Sequence, residues 1–307
     1  MQLPLVSVII PVFNTGNSCI KLLKSLQRST YKNIEIICID DGSEDDSYKT
    51  IHNFSKKYDN IIVKRQKNSG ASAARNAGVK IASGSFISFI DSDDEVDKTF
   101  IAKLVDAFSD NTILVCTSLL YRRLASNDSY MDFTKRMRPR RASESVKEYV
   151  CYAMLLDGRL YGSVNKLFRR DIIEKNNVSF DVTMNFAEDT KFVLDYIAAA
   201  IDEYPNDCCI KTIYEPLYVY NFGTNTSTVL KSSLDWDNWK KSYNHLNVWS
   251  SDNRSVVMKF RKLLIWLRWR VSHALSVARS NLSVHEKRLY CSYIELFFAN
   301  ILVNIRK

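Results

Sequence analysis

Short apolar segments alternate with helical patterns over the first 119 residues, and this alternation limits the folds open to the chain. The segments are rich in β-branched and aromatic residues and almost continuously apolar, which is typical of central strands in a parallel sheet. Between them, residues 44–58 after the capping-type Ser43, and residues 98–109, place apolar side chains at helical spacing. The pattern predicts an α/β layer fold with a mostly parallel sheet. The predicted strands are 6–11, 34–39, 61–65, 85–90 and 113–119.

Length and composition allow one large domain or two smaller ones. The chain has 307 residues, 46% hydrophobic and 25% charged, so disorder is not expected. It has neither a spanning apolar run nor a leader pattern, which predicts a cytoplasmic protein. The seven cysteines lack C-x-x-C spacing, which favours reduced, packed thiols over zinc ligands or disulfides. A net charge of +9 favours an anionic partner without choosing among nucleic acid, lipid and phosphorylated substrate.

Three candidate site segments lie at the ends of the first, second and fourth predicted strands, at 11–14, 40–43 and 91–94. Ligands of open α/β sheets collect at the carboxyl ends of the strands, so we expect these segments to share one crevice. Mg²⁺ and Mn²⁺ prefer carboxylate oxygens and complete their coordination with substrate phosphates. The segment FIDSDDEV at 89–96 therefore favours a cation site, since three aspartates in four positions repel one another without a positive charge.

Helix capping is the alternative explanation for these aspartates. Asp94 and Asp97 precede a helix predicted to begin near Lys98, where negative charge is favourable, so we expect both to act there. Asp91 and Asp93 stand at the strand exit with D-x-D spacing. That spacing occurs by chance in many proteins, and it gains weight only from other motifs.

Five other segments supply those motifs, because together with FIDSDDE they resemble family 2 glycosyltransferases of the GT-A fold. The first four occur in the family's order and spacing, and the last two resemble its acceptor-side segments. The segments are VSVIIPVFN at 6–14, IDDGSEDDS at 39–47, NSGASAARNAG at 68–78, FIDSDDE at 89–95, VNKLFRRDII at 164–173 and FAEDTKF at 186–192.

The resemblance extends to about residue 225 and implies three regions. Residues 1–119 are expected to form the nucleotide-sugar-binding half of the GT-A domain and residues 120–225 the acceptor-binding half. Residues 226–307 are expected to form a C-terminal helical region.

On the donor side, the resemblance implies that Asp41 accepts a hydrogen bond from a uracil ring, with Asp40 as the alternative partner. Arg75 is expected near the diphosphate, and Gly70 allows backbone to approach phosphate at a helix start. The small residues of NSGASAARNAG also suit a helix that packs closely on the sheet. We expect this segment to serve both purposes, phosphate approach and close packing. The implied nucleotide-binding residues are Pro11, Val12, Asn14, Asp40, Asp41, Gly70, Arg75 and Ser92.

The remaining site residues are also implied by the resemblance. Asp93 is expected to ligate Mn²⁺ or Mg²⁺ directly, and Asp91 to contact the ribose or the water shell of the metal. Asp189 is expected to act as the general base of an inverting transfer, with Glu188 as its rival or as an orienting residue. The alternative for both residues is a purely structural role, because carboxylates are favoured in the first turn of a helix. Lys166 matches an acceptor-side position, although a solvated or snorkelling lysine explains it nearly as well.

Two basic segments suggest contact with lipid. Residues 134–141 form either a solvated face or a site for a lipid-linked phosphate. Residues 254–275 form a basic, aromatic, amphipathic pattern that suits a bilayer interface, a helix packed on the catalytic domain, or a dimer face. We therefore expect possible peripheral contact with the cytoplasmic face of the inner membrane.

Two functions compete on this evidence. The preferred one is an inverting, metal-dependent glycosyltransferase that moves a sugar from a nucleotide diphosphate donor, most simply a UDP-sugar, to a lipid-linked or oligosaccharide acceptor. The expected pathway is bacterial capsule, O-antigen or lipopolysaccharide synthesis. The alternative is a nucleotide- or nucleic-acid-binding protein without transfer activity. It leaves Asp91, Asp93 and the acidic segment at 188–189 unexplained, and the chain lacks the aromatic-basic strands of a single-strand binder, so no nucleic-acid partner is expected.

Overall fold

The computed structural model describes a defined part of the chain. The predicted C-terminal region 226–307, with its segment 254–275, and the basic segment 134–141 lie outside the described residues. Within them, no helix is long and apolar enough to cross a membrane. The described residues are 3–123, 131–132, 146, 149–150, 160, 162–184, 188–204 and 208–222.

Strands and helices alternate through the first part of the described chain, as predicted. The strands are β1 (Val6–Val12), β2 (Ile34–Asp40), β3 (Ile61–Arg65), β4 (Phe86–Phe89), β5 (Glu95–Val96), β6 (Thr112–Arg123), β7 (Met131–Asp132), β8 (Lys166–Arg169) and β9 (Cys209–Phe222). The helices are α1 (Gly16–Gln27), α2 (Ser47–Ser55), α3 (Ala71–Ile81), α4 (Phe100–Asp106), α5 (Arg170–Lys175) and α6 (Glu188–Glu203).

One sheet joins all the described strands, in the order β3-β2-β1-β4-β8-β6-β9-β5, with β7 beside β6. The strands β3, β2, β1 and β4 are parallel neighbours, and β9 runs parallel to β6. Antiparallel pairs involve β8, β7 and β5. The predicted α/β fold with its parallel nucleotide-side sheet is confirmed, because helical crossovers return each strand to the same direction.

The predicted elements differ from the observed ones mainly at their ends. β3 matches its predicted range, whereas β6 continues to Arg123, past the predicted division at residue 119. The predicted capping role of Ser43 is wrong: α2 begins at Ser47, and the buried Ser43 hydroxyl accepts a hydrogen bond from Asn14 N. Asp97 does act beside α4, where Oδ1 accepts from Thr99 N at 2.8 Å.

Two apolar cores cover the two faces of the sheet. Side chains alternate along β1, so that Ile9 packs in one core while its neighbours Val8 and Ile10 pack in the other. On the Ile9 side, α3 approaches very closely: a Cβ added at Gly78 would lie 2.4 Å from Ile9 Cγ2. The predicted close packing of this small-residue helix is therefore confirmed, and it carries Arg75 to the sheet edge.

The cysteines of the described residues are free thiols, as expected, and Cys209 is the one that is partly exposed. Cys151 and Cys291 lie outside the described residues.

Candidate active site

The carboxyl ends of β1, β2 and β4 meet at an open cleft of about 220 Å³. The cleft therefore brings together most of the donor-side residues expected from the sequence, along with Phe13, which was not expected. It is lined by Pro11, Val12, Phe13, Asp41, Ala71, Arg75, Asp91, Ser92 and Asp93.

Asp41 lines the cleft and also holds the loop that leads into α3. Its Oδ1 accepts hydrogen bonds from Gln66 Nε2 and Ser69 N, both at 2.8 Å. Its Oδ2 accepts from Gly70 N at 2.7 Å. Gly70 has a φ of +89°, a conformation that favours glycine. Since a carboxylate has about four acceptor positions, Asp41 retains room for one further donor.

Asp40 and Asn14 do not line this cleft. Asp40 is buried, and its Oδ2 pairs with Arg65 Nε at 3.1 Å and accepts from Ser43 N at 3.3 Å. Asn14 is exposed, with a φ of +53°, and its Oδ1 accepts from Glu44 N at 2.9 Å. Both residues therefore brace the loops around the cleft, and Asp41 is the better placed of the two aspartates to reach a nucleobase.

Arg75 connects the cleft to the residue expected to be the base. Its Nη2 lies 2.7 Å from Asp91 Oδ1, and its Nη1 lies 3.2 Å from Asp189 Oδ1. The guanidinium also lies over the Phe180 ring, 5.3 Å from its centre. Burial acts to lower the pKa of Arg75, but the charges of Asp189 and Asp91 outweigh it and hold the pKa above its usual value.

Asp94 does not cap a helix, so that prediction is wrong. It is buried, and its Oδ2 accepts from the Tyr218 hydroxyl at 2.6 Å while its Oδ1 accepts from Asn221 N at 2.8 Å. Burial and the nearby charge of Asp91 raise the pKa of Asp94 to about 9. The sequence pattern wrongly predicted a cap because the partners of Asp94 lie on β9, which is distant in sequence.

Asp91 and Asp93 fit a divalent cation. Burial, followed by the charge of Asp91, raises the pKa of Asp93, and a cation beside these oxygens would relieve both effects. In the described part of the chain, no group of three or more metal-ligating side chains is assembled. Two carboxylates suit Mg²⁺ or Mn²⁺ that take their remaining ligands from substrate phosphates and water.

Asp189 and Glu188 occupy the first turn of α6. Asp189 Oδ1 accepts from Ser163 Oγ at 2.9 Å and also faces Arg75, so both contacts use the same oxygen. The Asp189 side chain is 25% exposed. Burial raises the pKa of Asp189 although Arg75 opposes the shift. Burial and the charge of Asp189 raise the pKa of Glu188 to about 7.

Lys166 is fully buried at the start of β8, so a solvated or snorkelling side chain is wrong. Its Nζ donates to Asn165 Oδ1 at 2.8 Å and to Val164 O at 3.2 Å. Its charge acts to lower the pKa of Asp189. Contact between Lys166 and an acceptor stays a prediction.

Sequence reasoning missed several residues at the site. Phe13 is 43% exposed in the cleft, and an exposed aromatic ring within the PVFN segment was an available signal. The Thr15 hydroxyl lies 2.7 Å from the Ser92 hydroxyl and joins two loops of the cleft. Tyr218 and Asn221 carried no local signal, because both act through contacts with residues far away in sequence.

Comparison with known proteins identifies the fold and the family of this chain. The mixed α/β sheet of the described residues has the GT-A fold, which its structural neighbours share. The sequence model of "Glycosyl transferase family 2" matches residues 7–176, more than half of the chain. The chain therefore belongs to glycosyltransferase family 2 and is an enzyme, so the alternative without transfer activity is not retained.

Two curated relatives come from Gram-positive bacteria. The "Uncharacterized glycosyltransferase EpsJ" of Bacillus subtilis is 30% identical over 245 residues, covering 79% of this chain and 68% of EpsJ. The "Poly(ribitol-phosphate) beta-N-acetylglucosaminyltransferase TarP" of Staphylococcus aureus is 30% identical over 223 residues, covering 70% of this chain and 63% of TarP. The chain thus spans about two thirds of the length of these relatives.

Two solved structures share the fold. S. aureus TarS 1-349 in complex with UDP-GlcNAc aligns with a TM-score of 0.57 at 17% identity, covering 92% of this chain and 69% of TarS 1-349. The mannosyltransferase PcManGT from Pyrobaculum calidifontis, in complex with GDP-Man and Mn²⁺, aligns with a TM-score of 0.60 at 12% identity. The alignment covers 99% of this chain and 81% of PcManGT. The predicted GT-A fold is confirmed.

Proposed function

We propose that this protein is an inverting, metal-dependent glycosyltransferase that moves a sugar from a UDP-sugar to a hydroxyl of a lipid-linked or oligosaccharide acceptor. The observation that carries the proposal is the Arg75 bridge, which places the expected base Asp189 beside the carboxylates of the donor cleft. A transferase needs both groups at one reaction centre, whereas a nucleotide-binding protein needs only the first.

The donor end of the cleft suits a nucleoside diphosphate. The exposed ring of Phe13 offers a stacking surface for a base, and Asp41 retains an acceptor position for a ring N–H. Pro11, Val12 and Ser92 form the adjoining wall. The UDP-GlcNAc bound by TarS favours uracil, while the GDP-Man bound by PcManGT makes guanine the competing base.

Asp93 and Asp91 would hold the cation together with the diphosphate. A bound Mn²⁺ or Mg²⁺ supplies positive charge that stabilises the departing nucleoside diphosphate. Arg75 orients Asp91 through their ion pair, and the first turn of α3, which follows Gly70, offers backbone N–H groups beside the cleft.

Asp189 serves as the general base. Its Oδ1 is held by Ser163 and Arg75, so Oδ2 is the oxygen that takes the proton of the acceptor hydroxyl. The hydroxyl oxygen forms the new bond to the anomeric carbon, the bond to the donor phosphate breaks, and its electron pair leaves with the diphosphate. Attack on the face opposite the leaving group inverts that carbon. Glu188 is assigned to orienting the acceptor or sugar.

The acceptor belongs to a bacterial surface polysaccharide in this proposal. TarP and a beta-glucosyltransferase of Bacillus spizizenii act, by name, on poly(ribitol-phosphate). The net charge of +9 also suits an anionic, lipid-linked or phosphate-rich acceptor. Capsule, O-antigen and lipopolysaccharide chains are the candidate products. Residues 226–307, and 254–275 in particular, are proposed to bring the enzyme to the cytoplasmic face of the inner membrane.

Calorimetric titration tests the donor class. The purified protein is titrated with UDP, GDP and dTDP, each with Mn²⁺ and with EDTA. We expect Mn²⁺-dependent binding of UDP and weaker binding of the other two. Tight GDP binding would reassign the donor, and binding that EDTA leaves unchanged would contradict the metal role of Asp91 and Asp93.

A further inference from the structure

The turn that carries Asp91 and Asp93 is braced by β9, in the predicted acceptor half. Asp94 N donates to Asp91 O at 3.1 Å, so these four residues form one tight turn beyond the end of β4. The carboxylates of Asp91 and Asp93 on such a turn repel one another. Contacts from outside the turn are therefore needed to hold it in one geometry.

Tyr218 joins the two ends of this turn. Its hydroxyl donates to Asp94 Oδ2 at 2.6 Å and lies 3.2 Å from Asp91 N, from which it accepts. The side chain is fully buried, so water does not replace either bond. A phenylalanine would fill nearly the same volume and make neither bond.

Asn221 holds the middle of the turn. Its backbone N donates to Asp94 Oδ1 at 2.8 Å, which occupies the second carboxylate oxygen. Its side-chain Nδ2 donates to Asp93 O at 2.6 Å. The peptide group of Asp93 is thereby fixed, and with it the direction in which the Asp93 carboxylate leaves the backbone.

The sheet determines where these two side chains stand. Tyr218 pairs with Val96 and Val219 with Glu95 in the antiparallel β5–β9 ladder. β9 also pairs with β6 along most of its length. Groups placed on rigid strands hold a site more precisely than groups on loops.

We propose that Tyr218 and Asn221 are positioning residues for donor binding, which hold Asp91 and Asp93 through the Asp94 carboxylate in the geometry that receives the cation and diphosphate. This inference rests on the proposed function of the same cleft. Neither residue is assigned a contact with the donor. Their loss therefore weakens the affinity for cation and nucleotide together and leaves the proton transfer to Asp189 in place.

Tyr218→Phe tests the inference, with Tyr196→Phe as its matched control. Tyr196 is also fully buried, and its hydroxyl accepts from Arg169 N and donates to Ile113 O; none of these three residues lines the donor cleft. Each variant thus loses one phenol with two hydrogen bonds. UDP is titrated calorimetrically over a range of Mn²⁺ concentrations, and the melting temperature is measured in parallel.

We expect both variants to melt earlier by a similar amount. Only Tyr218→Phe should weaken Mn²⁺-dependent UDP binding, by about 10- to 100-fold, as loss of an outer-shell partner does. Equal UDP affinities in the two variants would overturn the inference and leave the proposed function standing. A wild-type protein without Mn²⁺-dependent nucleotide binding would overturn both.

A second pair of variants separates positioning from charge. In Asp94→Asn the amide can still accept from Asn221 N and donate to the Tyr218 hydroxyl, whereas Asp94→Ala loses both contacts. We expect Asp94→Asn to keep UDP affinity within a few-fold and Asp94→Ala to lose as much as Tyr218→Phe. Equal loss in both would mean that the charge of Asp94 is itself required, and the positioning role would be wrong.

Discussion

The donor and acceptor sides of the sheet are assembled in different ways. β1 to β4 form a parallel block with one helix between successive strands, and the motifs at 6–14, 39–47 and 89–95 each contribute residues to the cleft. β6, β8 and β9 pair across long stretches of chain, as when Thr112 pairs with Cys209. The first side is built from neighbours in sequence and the second from distant segments, so local patterns describe the first far better.

The two sides also divide the proposed chemistry. Asp91 and Asp93 stand on the donor side and Asp189 on the acceptor side, so donor binding and turnover should respond to different substitutions. Arg75 is the element that both sides share, since it pairs with Asp91 and Asp189. The substitutions below test whether donor binding and turnover depend on separate residues.

Asp189→Asn should have the largest effect. The amide keeps the shape of the side chain but cannot take a proton, and loss of a general base costs about 10²- to 10⁴-fold in kcat. Donor affinity should stay nearly unchanged, because the donor cleft is intact. Steady-state kinetics and UDP calorimetry measure the two quantities, with Glu188→Gln as the control. A larger kcat loss in Glu188→Gln would transfer the base role to Glu188.

Asp93→Asn should break the other side. We expect Mn²⁺-dependent UDP binding to weaken by more than the roughly 10- to 100-fold that follows loss of an outer-shell partner. The measurement is the UDP dissociation constant as a function of Mn²⁺ concentration. If Asp93→Asn and Asp189→Asn lost donor affinity equally, the division between the two sides would be wrong.

Arg75→Met should damage both sides together. Removing the buried guanidinium leaves Asp91 and Asp189 without their partner, and breaking a buried ion pair costs about 3–5 kcal/mol. UDP affinity and kcat should both fall. In a double-mutant cycle, Asp189→Asn added to Arg75→Met should cost much less kcat than Asp189→Asn alone. Additive losses would show that Arg75 does not couple the two sides.

Gly78→Ala should act on the packing of the donor side. The added methyl group would meet Ile9 Cγ2 at 2.4 Å, and overpacking of this kind typically costs about 1–3 kcal/mol. The free energy of unfolding by urea measures it. Gly162→Ala is the matched control, because its added methyl would lie 3.7 Å from Val164 Cγ2, an ordinary contact. Equal losses would mean that α3 shifts readily on β1.

Glu188→Gln should have the smallest effect, and that effect should depend on pH. The folded-state pKa of Glu188, about 7, lies above the ordinary value of about 4.3, so its ionised form is disfavoured in the folded protein. That penalty is absent below about pH 4.3, grows between the two values and is complete above about pH 7. Glu188→Gln should therefore raise the melting temperature at pH 8 more than at pH 5, measured in EDTA. An equal change in melting temperature at the two pH values would contradict the raised pKa of Glu188.

Particular residues show what the sequence could predict. The strand at 61–65 was placed correctly because its three successive β-branched residues, 61–63, favour a strand locally. Asp94 and Ser43 were misassigned as caps, because capping preferences are local whereas their real partners, Tyr218 and Asn14, come from elsewhere in the fold. For Lys166 the sequence left an acceptor-side role and a solvated or snorkelling side chain open, and nothing in its neighbourhood signals the full burial that is observed.

The contact between Arg75 and Asp189 lay beyond such reasoning for a related reason. The resemblance assigned each residue a role of its own, but no spacing in the sequence indicates that one guanidinium contacts both the donor turn and the start of α6. Only the packing of α3 against β1, and of α6 on the same face, brings them together.

The brace on the Asp91–Asp94 turn has a consequence for biosynthesis. Every donor-side motif has been translated by residue 95, yet the groups that hold the turn are not made until Tyr218 and Asn221 follow. A nascent chain passes through more than a hundred residues of synthesis with its acidic turn unbraced. The proposed cation site is thus among the last parts of the described chain to mature, because a chain that stops before Asn221 lacks a group that holds the turn.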